Sequence, residues 1–181
     1  MKQKILAGKY VRALVDSLKA DERESVLKAL HSFLDGVVSD KKALAFFKSP
    51  IIEESKKQEV VSNILKELDV SPKVDLFLKL IINKQRESLF GVIKEHVRTE
   101  LNKVLGQIDV DIILPEKVED SAEQDLARSF QKLTDKKIIP SFIHDPEMLG
   151  GFMVKLENKL YDGSVRNALR KVADSIAANK D

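Results

Sequence analysis

The sequence predicts a mostly α-helical protein with an N-terminal six-helix bundle over residues 1–105 and a small α+β domain over residues 106–181. Apolar residues recur at helical spacing throughout the first part. After Gly106 the apolar residues recur at every second position, which is typical of strands. The charge also changes sign there: 20 basic and 15 acidic side chains precede residue 106, and 11 and 14 follow it, within a total of +2. These observations together predict two modules.

The N-terminal module reads as a series of helices with short connections. Apolar residues fall at i, i+3, i+4 and i+7 in residues 11–18, 61–68 and 74–81, with comparable stripes in 27–38 and 90–104. Breakers separate these runs, among them Ser49-Pro50, Asp69 and Ser71-Pro72. We expect Ser71 to cap the fifth helix, with Pro72 in its first turn. About six short-linked helices favour a compact antiparallel bundle.

The first and fifth helices are more apolar than one buried face requires. The residues that exceed the main stripes are Ile5, Ala7, Tyr10 and Ala13 in the first helix and Leu76, Leu80 and Ile82 in the fifth. Such helices are either central in the core or covered by another molecule. The first alternative makes them simple core helices. The second predicts a groove between them that accepts the amphipathic helix of a partner.

The C-terminal module alternates between strand and helix signals. Residues 107–112 and 152–156 alternate polar and apolar, whereas Pro140 restricts residues 138–143 to an edge or irregular strand. Ser121 and Gln124 fit a capping box for a helix that continues to Leu133. Gly150-Gly151 predicts a tight strand entry, and the pair at residues 162 and 163 predicts a turn. Ser164 is expected to begin the last helix, whose apolar stripe is Val165, Leu169, Val172 and Ile176.

Residues suited to catalysis or metal binding are scarce. The chain has no Cys, which excludes thiolate chemistry and disulfides. His31 and His96 lie within predicted helices without a second ligand at metal spacing, and Gly150 lacks the context of a phosphate loop. We expect no cofactor, no metal and no catalytic residue. No apolar run reaches the roughly 20 residues that span a membrane, and few aromatics accompany the basic residues, so nucleic acid is not an expected partner.

Several motifs carry a family resemblance. Residues 149–154 (LGGFMV), followed by residues 161–166 (YDGSVR) and Leu169, resemble the C-terminal signature of the delta subunits of F-type ATP synthases, whose mitochondrial relative is the oligomycin-sensitivity-conferring protein. Residues 10–14 (YVRAL) resemble the opening helix of that family, with Val11 in place of the commoner Ala. Residues 83–86 (NKQR) match its Asn-x-x-Arg turn. The order and spacing of these motifs cover nearly the whole chain.

The resemblance implies a non-catalytic stator subunit of the peripheral stalk. In that family the helical bundle binds the N-terminal helix of an alpha subunit, and the C-terminal part holds the b subunits. The head is thereby anchored, so that proton-driven rotation is coupled to ATP synthesis. The implied partner-binding residues are Tyr10, Ala13, Leu14, Leu76, Lys79 and Leu80. Contact with the membrane is expected only indirectly, through the complex at the cytoplasmic face of a bacterial inner membrane.

Three rival hypotheses remain open at this stage. The first is a helical adaptor that binds a different amphipathic peptide in the same groove. The second is a cofactor-free hydrolase that uses the neighbouring residues His144 and Asp145. The third is salt-sensitive nucleic-acid binding by residues 1–105, which carry a net charge of +5.

Overall fold

The computed structural model describes residues 2–67, 70–132, 134–156 and 159–178. Leu68, Asp69 and Leu133, which the sequence placed at helix ends, and the side chain of Ile176 lie outside the described part. The chain divides into two compact units, Met1–Leu105 and Gly106–Asp181. The described residues are mostly helical and include one small four-stranded sheet in the second unit.

The N-terminal unit consists of helices joined by short connections. Its described helices are α1 (Lys2–Ser17), α2 (Arg23–Ser39), α3 (Lys41–Lys48), α4 (Glu54–Glu67), α5 (Pro72–Asn83) and α6 (Phe90–Val104), with a short 3-10 turn at Glu87–Leu89 before α6. The predicted cap of α5 is confirmed, because Ser71 Oγ accepts a hydrogen bond from Lys73 N at 3.4 Å and Pro72 opens the helix. Asp40 caps α3 in the same way, through Lys42 N at 2.7 Å.

The core of this unit is built from the buried stripe of each helix. Leu27, Leu34 and Ile93 are fully buried where α2 packs against α6. A cluster of aromatic rings fills the end near α3, where Phe47 makes edge contacts with Phe90 at a centroid distance of 5.6 Å. Rings at these distances and angles add to the energy of burial alone.

The C-terminal unit is an α+β fold around one sheet. Its elements are β1 (Gln107–Leu114), α7 (Asp120–Gln131), β2 (Lys137–His144), β3 (Gly151–Leu156), β4 (Lys159–Ser164) and α8 (Val165–Ala178). The strand order is β2-β1-β3-β4, with β1 parallel to β2 and both other pairs antiparallel. The alternation in β1 is confirmed, since every second residue is buried. Pro140 lies on the edge strand β2 opposite Val110, as its missing N–H predicts.

Two sequence predictions in this unit are wrong. Asp162 and Gly163 do not form a turn but lie within β4, opposite Met153 and Phe152. Gly151 on the adjacent strand permits this close approach, because a Cβ there would lie 2.4 Å from the carbonyl oxygen of Gly163.

The second error concerns the start of α7. No capping box forms there, and the N-cap is Glu119, which makes no side-chain capping hydrogen bond. Its extended backbone lets its carbonyl oxygen accept from Ala122 N at 2.9 Å and Glu123 N at 3.1 Å. The helix therefore begins ahead of Ser121. Among the described helices of both units, none has the length and apolarity needed to cross a membrane.

Candidate helix-docking groove

A groove with a volume of about 260 Å³ lies between α1 and α5 on the surface of the N-terminal unit. Its lining residues are Tyr10, Ala13, Leu14, Ser17, Lys73, Leu76, Phe77 and Leu80. Both helices bury one face in the core and present a neighbouring face to this groove. The lining is mostly apolar and open to solvent.

The α1 wall follows from helical spacing. Val11 and Leu14 are buried in the core. Tyr10, Ala13 and Ser17 recur at intervals of three and four residues, so they form a second row beside the buried stripe. Ala13 is exposed and small, which leaves room for a helix to approach α1 closely.

The α5 wall supplies the exposed apolar side chains. Phe77 and Ile81 are buried, whereas Leu76 is 66% exposed and Leu80 is 43% exposed. The two leucines are four residues apart and lie on one face of the helix. A soluble surface exposes single leucines routinely, but a pair beside a groove of small and aromatic side chains marks a surface suited to binding.

A turn after α5 fixes the position of Tyr10. Arg86 Nη1 donates a hydrogen bond to the Tyr10 hydroxyl, and the Arg86 guanidinium carbon lies 5.6 Å from the centre of the Tyr10 ring. Gln85 has a φ of 52°, in the left-handed region, and its side-chain amide donates to Glu54 Oε1 at 2.9 Å. This turn therefore connects α1, α4 and α5.

A buried ion pair between α4 and the residue after Arg86 stabilises the same turn. Lys57 Nζ lies 2.7 Å from Glu87 Oε1, and the two side chains are only 6% and 7% exposed. The pair joins α4 to the short turn directly after Arg86. It is the kind of contact that fixes one arrangement of neighbouring elements, because neither charge has water as an alternative partner.

The structure brings together five of the six predicted partner-binding residues. Tyr10, Ala13, Leu14, Leu76 and Leu80 all line the groove. The sixth, Lys79, is not among the lining residues; its Nζ lies 2.7 Å from Asp75 Oδ2, one turn earlier on α5. Their role in binding a partner stays a prediction.

Sequence reasoning missed Ser17, Lys73 and Phe77 as lining residues. Ser17 continues the helical spacing of the row that starts at Tyr10, so its position in the lining could have been predicted from the sequence. The contact of Arg86 with Tyr10 joins residues that are 76 positions apart, and no local pattern marks it.

The charged group at the rim of the groove is neutralised. Lys73 Nζ lies 2.6 Å from Glu22 Oε2. The hydrogen bond from Lys73, assisted by the backbone N–H of Lys19, holds the pKa of the Glu22 carboxyl below its ordinary value. The groove therefore has an apolar floor and a rim without a free charge at this position, which suits an apolar helix face.

In the C-terminal unit the two signature motifs meet in space. Gly150, with a φ of 152°, accepts a hydrogen bond from Val165 N at 3.1 Å, and Gly151 packs against the backbone of Gly163. Ser164 binds Asp162 through its hydroxyl and backbone N–H, and these bonds lower the pKa of the Asp162 carboxyl. Ser164 also caps α8, its Oγ accepting from Asn167 N at 3.2 Å. The prediction that Ser164 begins the last helix is confirmed.

This unit also carries a large apolar cavity. It has a volume of about 800 Å³ and lies between α7, the sheet and α8. Phe130 and Phe152 form one wall, with ring centres 5.7 Å apart. The apolar stripe of α8 is exposed rather than packed in the core, and so is part of β4, which lines the cavity. The exposed residues are Leu160, Tyr161, Val165, Leu169 and Val172.

The remaining polar candidates have structural roles. Asp145 N donates to Leu114 O at 2.8 Å, and Asp145 Oδ1 accepts from Glu147 N at 3.0 Å, so this residue closes the turn after β2 rather than orienting His144. His96 lies on α6 with Nε2 3.0 Å from Lys4 O. Within the described residues, no group of three or more His, Asp or Glu side chains is placed to hold a metal ion.

Apolar surfaces of this kind on a helical unit and a small α+β unit are typical of a subunit that docks other proteins. The family model for the ATP synthase delta (OSCP) subunit matches residues 6–176, and the chain therefore belongs to that family. It is 29% identical to the ATP synthase subunit delta of Oceanobacillus iheyensis, over 99% of this chain and 100% of the relative. It is also 29% identical to that of Aquifex aeolicus, over 96% and 97% of the two chains.

A solved structure shares the fold. A chain of the Toxoplasma gondii mitochondrial ATP synthase hexamer matches with a TM-score of 0.68 and 14% identity, covering 95% of this chain and 97% of the other. Membership of the delta (OSCP) family confirms the expectation of a peripheral-stalk subunit. The protein is a structural, non-catalytic part of an ATP synthase, with contacts to the catalytic head and the stalk, and it associates peripherally with that complex.

Proposed function

We propose that the groove between α1 and α5 binds the N-terminal helix of an alpha subunit. The observation that carries this proposal is the convergence of Tyr10, Ala13 and Leu14 with Leu76 and Leu80 on one apolar groove. An amphipathic helix docks in such a groove through residues spaced at i, i+3, i+4 and i+7. The six helices of the N-terminal unit act as one bundle that holds the two walls of the groove.

The exposed leucines supply the binding energy. Fully burying a leucine side chain contributes about 1.5–3 kcal/mol, so covering the exposed part of Leu76 contributes roughly 1–2 kcal/mol and that of Leu80 roughly 0.6–1.3 kcal/mol. Ala13 permits the close approach that brings these side chains under a partner helix. Tyr10 is already held by Arg86, so its ring loses little freedom on binding.

We also propose that the C-terminal unit binds the ends of the b subunits. The support for this is the large cavity beside α8 and the exposed side chains Leu160, Leu169 and Val172. The α8 helix does not bury this face within its own unit. An apolar helix end from the stalk can cover it in the assembled enzyme.

Together the two surfaces make the protein a mechanical connector. During rotary catalysis the rotor exerts torque on the head, and an anchored head converts that torque into conformational change. Attachment must dissociate slowly, which buried apolar area and a preformed groove both favour. We propose that the protein works at the cytoplasmic face of a bacterial inner membrane and contacts the membrane only through the complex.

The test of the groove uses the full chain and a fluorescent peptide that copies the N-terminal helix of the alpha subunit from the same organism. We expect micromolar or tighter binding. Leu76→Asp should weaken it by about 1–3 kcal/mol, or roughly 5- to 150-fold, because a carboxylate then faces the apolar side of the peptide. Ile51→Asp is the matched control, since Ile51 is 91% exposed and lies outside the groove.

The outcomes separate the hypotheses. Equal weakening by Leu76→Asp and Ile51→Asp would show that the groove is not the binding site. No binding of the alpha peptide, combined with Leu76-dependent binding of other amphipathic helices, would favour an adaptor for a different peptide. For the stalk surface, Leu169→Asp should reduce capture of the b subunits in reconstituted complexes while leaving peptide binding in the groove unchanged.

A further inference from the structure

A second groove lies on the opposite side of α1 from the apolar groove, within the N-terminal unit. It has a volume of about 570 Å³ between α1 and α6. The two grooves share no lining residue, so they are independent surfaces. Its lining residues include Lys4, Ile5, Gly8, Lys9, Arg12, His96, Glu100 and Lys103.

This groove is strongly basic. Four cationic side chains and one carboxylate, Glu100, line it, for a net charge of +3 with neutral histidine. Glu100 is engaged by Lys103 at 2.8 Å. Among the described residues no carboxylate forms an ion pair with Lys4, Lys9 or Arg12. Three exposed cations on one helix are therefore left without a partner.

Unpaired like charges at this spacing do not stabilise the free protein. Lys9 and Arg12 are three residues apart on α1, where like charges repel each other. Lys73 and Lys79, which are half-buried, pair with Glu22 and Asp75, whereas the exposed cations on this face of α1 have no such partner among the described residues. This part of α1 therefore carries positive charge that no carboxylate among the described residues neutralises through an ion pair.

The two helices pack closely at the floor of the basic groove, which has one exposed apolar side chain beside the buried Val11. A Cβ on Gly8 would lie 3.3 Å from His96 Cε1, so α1 and α6 pass closely there, and His96 Nε2 is 3.0 Å from Lys4 O. Ile5, 59% exposed, stands between the cations. The groove holds no aromatic side chain on which a base could stack. A row of cations around one apolar residue complements a helix with carboxylates around an apolar stripe.

We propose that the α1–α6 groove docks an acidic amphipathic helix of a second protein partner. Carboxylates of that helix pair with Lys4, Lys9 and Arg12, and its apolar stripe covers Ile5. Helix α1 then lies between two docked segments, one apolar in its contacts and one acidic.

The probe is a synthetic acidic amphipathic helix of about 20 residues with Glu on both flanks of a Leu stripe, measured by fluorescence anisotropy with the full chain. The variant Lys4→Glu/Lys9→Glu/Arg12→Glu should weaken binding at least about tenfold, and added salt should weaken binding to the unmodified chain. The matched control Lys41→Glu/Lys42→Glu/Lys48→Glu makes the same charge change on α3 and should leave affinity within about twofold.

A neutral variant, Lys4→Gln/Lys9→Gln/Arg12→Gln, gives an intermediate loss and keeps the test valid if charge reversal prevents folding. Equal loss in the α1 and α3 variants overturns the proposal, because it shows a response to net charge alone. Equal binding of a scrambled peptide without an apolar stripe also overturns it, as does tighter binding of a single-stranded oligonucleotide at the same ionic strength. Since Leu76→Asp should leave this binding unchanged, failure here is distinguishable from failure of the alpha-helix proposal.

Discussion

Replacing Lys57 by Met leaves the carboxylate of Glu87 buried without its partner. At the observed separation of 2.7 Å, the attraction between the two charges is about 6 kcal/mol at an effective dielectric constant near 20. The desolvation of two ions offsets much of that attraction, so the intact pair is close to neutral for stability. Removing one partner deletes the attraction and keeps the desolvation penalty of the other. The expected loss is about 3–5 kcal/mol in the free energy of unfolding.

The assay is urea unfolding of the full chain followed by far-ultraviolet circular dichroism. Lys57→Met should lower the transition midpoint of the helical unit, whereas the double variant Lys57→Met/Glu87→Leu should return to within about 1–2 kcal/mol of the unmodified chain, because no charge is then left buried. Lys103→Met is the control, since its ion pair with Glu100 is largely exposed and should contribute no more than about 1 kcal/mol. A loss at Lys57 no larger than that at Lys103 would refute the reasoning.

Three further predictions concern pH, backbone shape and the groove wall. The lowered pKa of Glu22 stabilises the folded chain above roughly pH 4.3, and this stability is lost as the pH falls through the native pKa. Glu22→Gln should therefore make the melting temperature depend less on pH in the acid range. Gly151→Ala should destabilise the C-terminal unit by more than about 1 kcal/mol in calorimetry, since the new Cβ would lie 2.4 Å from a backbone atom. Gly36→Ala is the control: residue 36 lies on a helix with open space around it, so this change should be neutral or stabilising. Tyr10→Phe should cost about 1 kcal/mol and lose its effect once Arg86 is replaced by Ala, which a double-mutant cycle in urea would measure.

Local patterns predicted the elements of this protein well where one signal acted alone. Ser71-Pro72 begins α5 as its chemistry requires, and the alternation in β1 has the expected burial. The missing N–H of Pro140 restricted residues 138–143 to an edge or irregular strand, and β2 lies at the edge of the sheet. Each of these structural outcomes is set by residues that are close together in the sequence.

The errors arise where a distant contact decides the structure. Gly163 carries the usual signal of a turn, yet it lies in β4 opposite Phe152, and its carbonyl oxygen approaches Gly151 of the adjacent strand so closely that a Cβ there would be 2.4 Å away. Five of the predicted groove residues converge because helical spacing placed them on two faces. Lys79 lies on α5 as well, but it pairs with Asp75 and is not among the lining residues. The contact of Arg86 with Tyr10 has no local signature at all.

The contacts of α1 determine when it can reach its final position during synthesis. This helix is synthesised before the other helices of its unit, yet the residues that hold it come much later: Arg86, which binds Tyr10, and His96 on α6, which binds Lys4 O across 92 positions. Closing so long a loop delays the arrangement until the partners have left the ribosome. Both grooves therefore form only when the N-terminal unit is complete, and a nascent chain that ends before α6 presents neither surface to its partners.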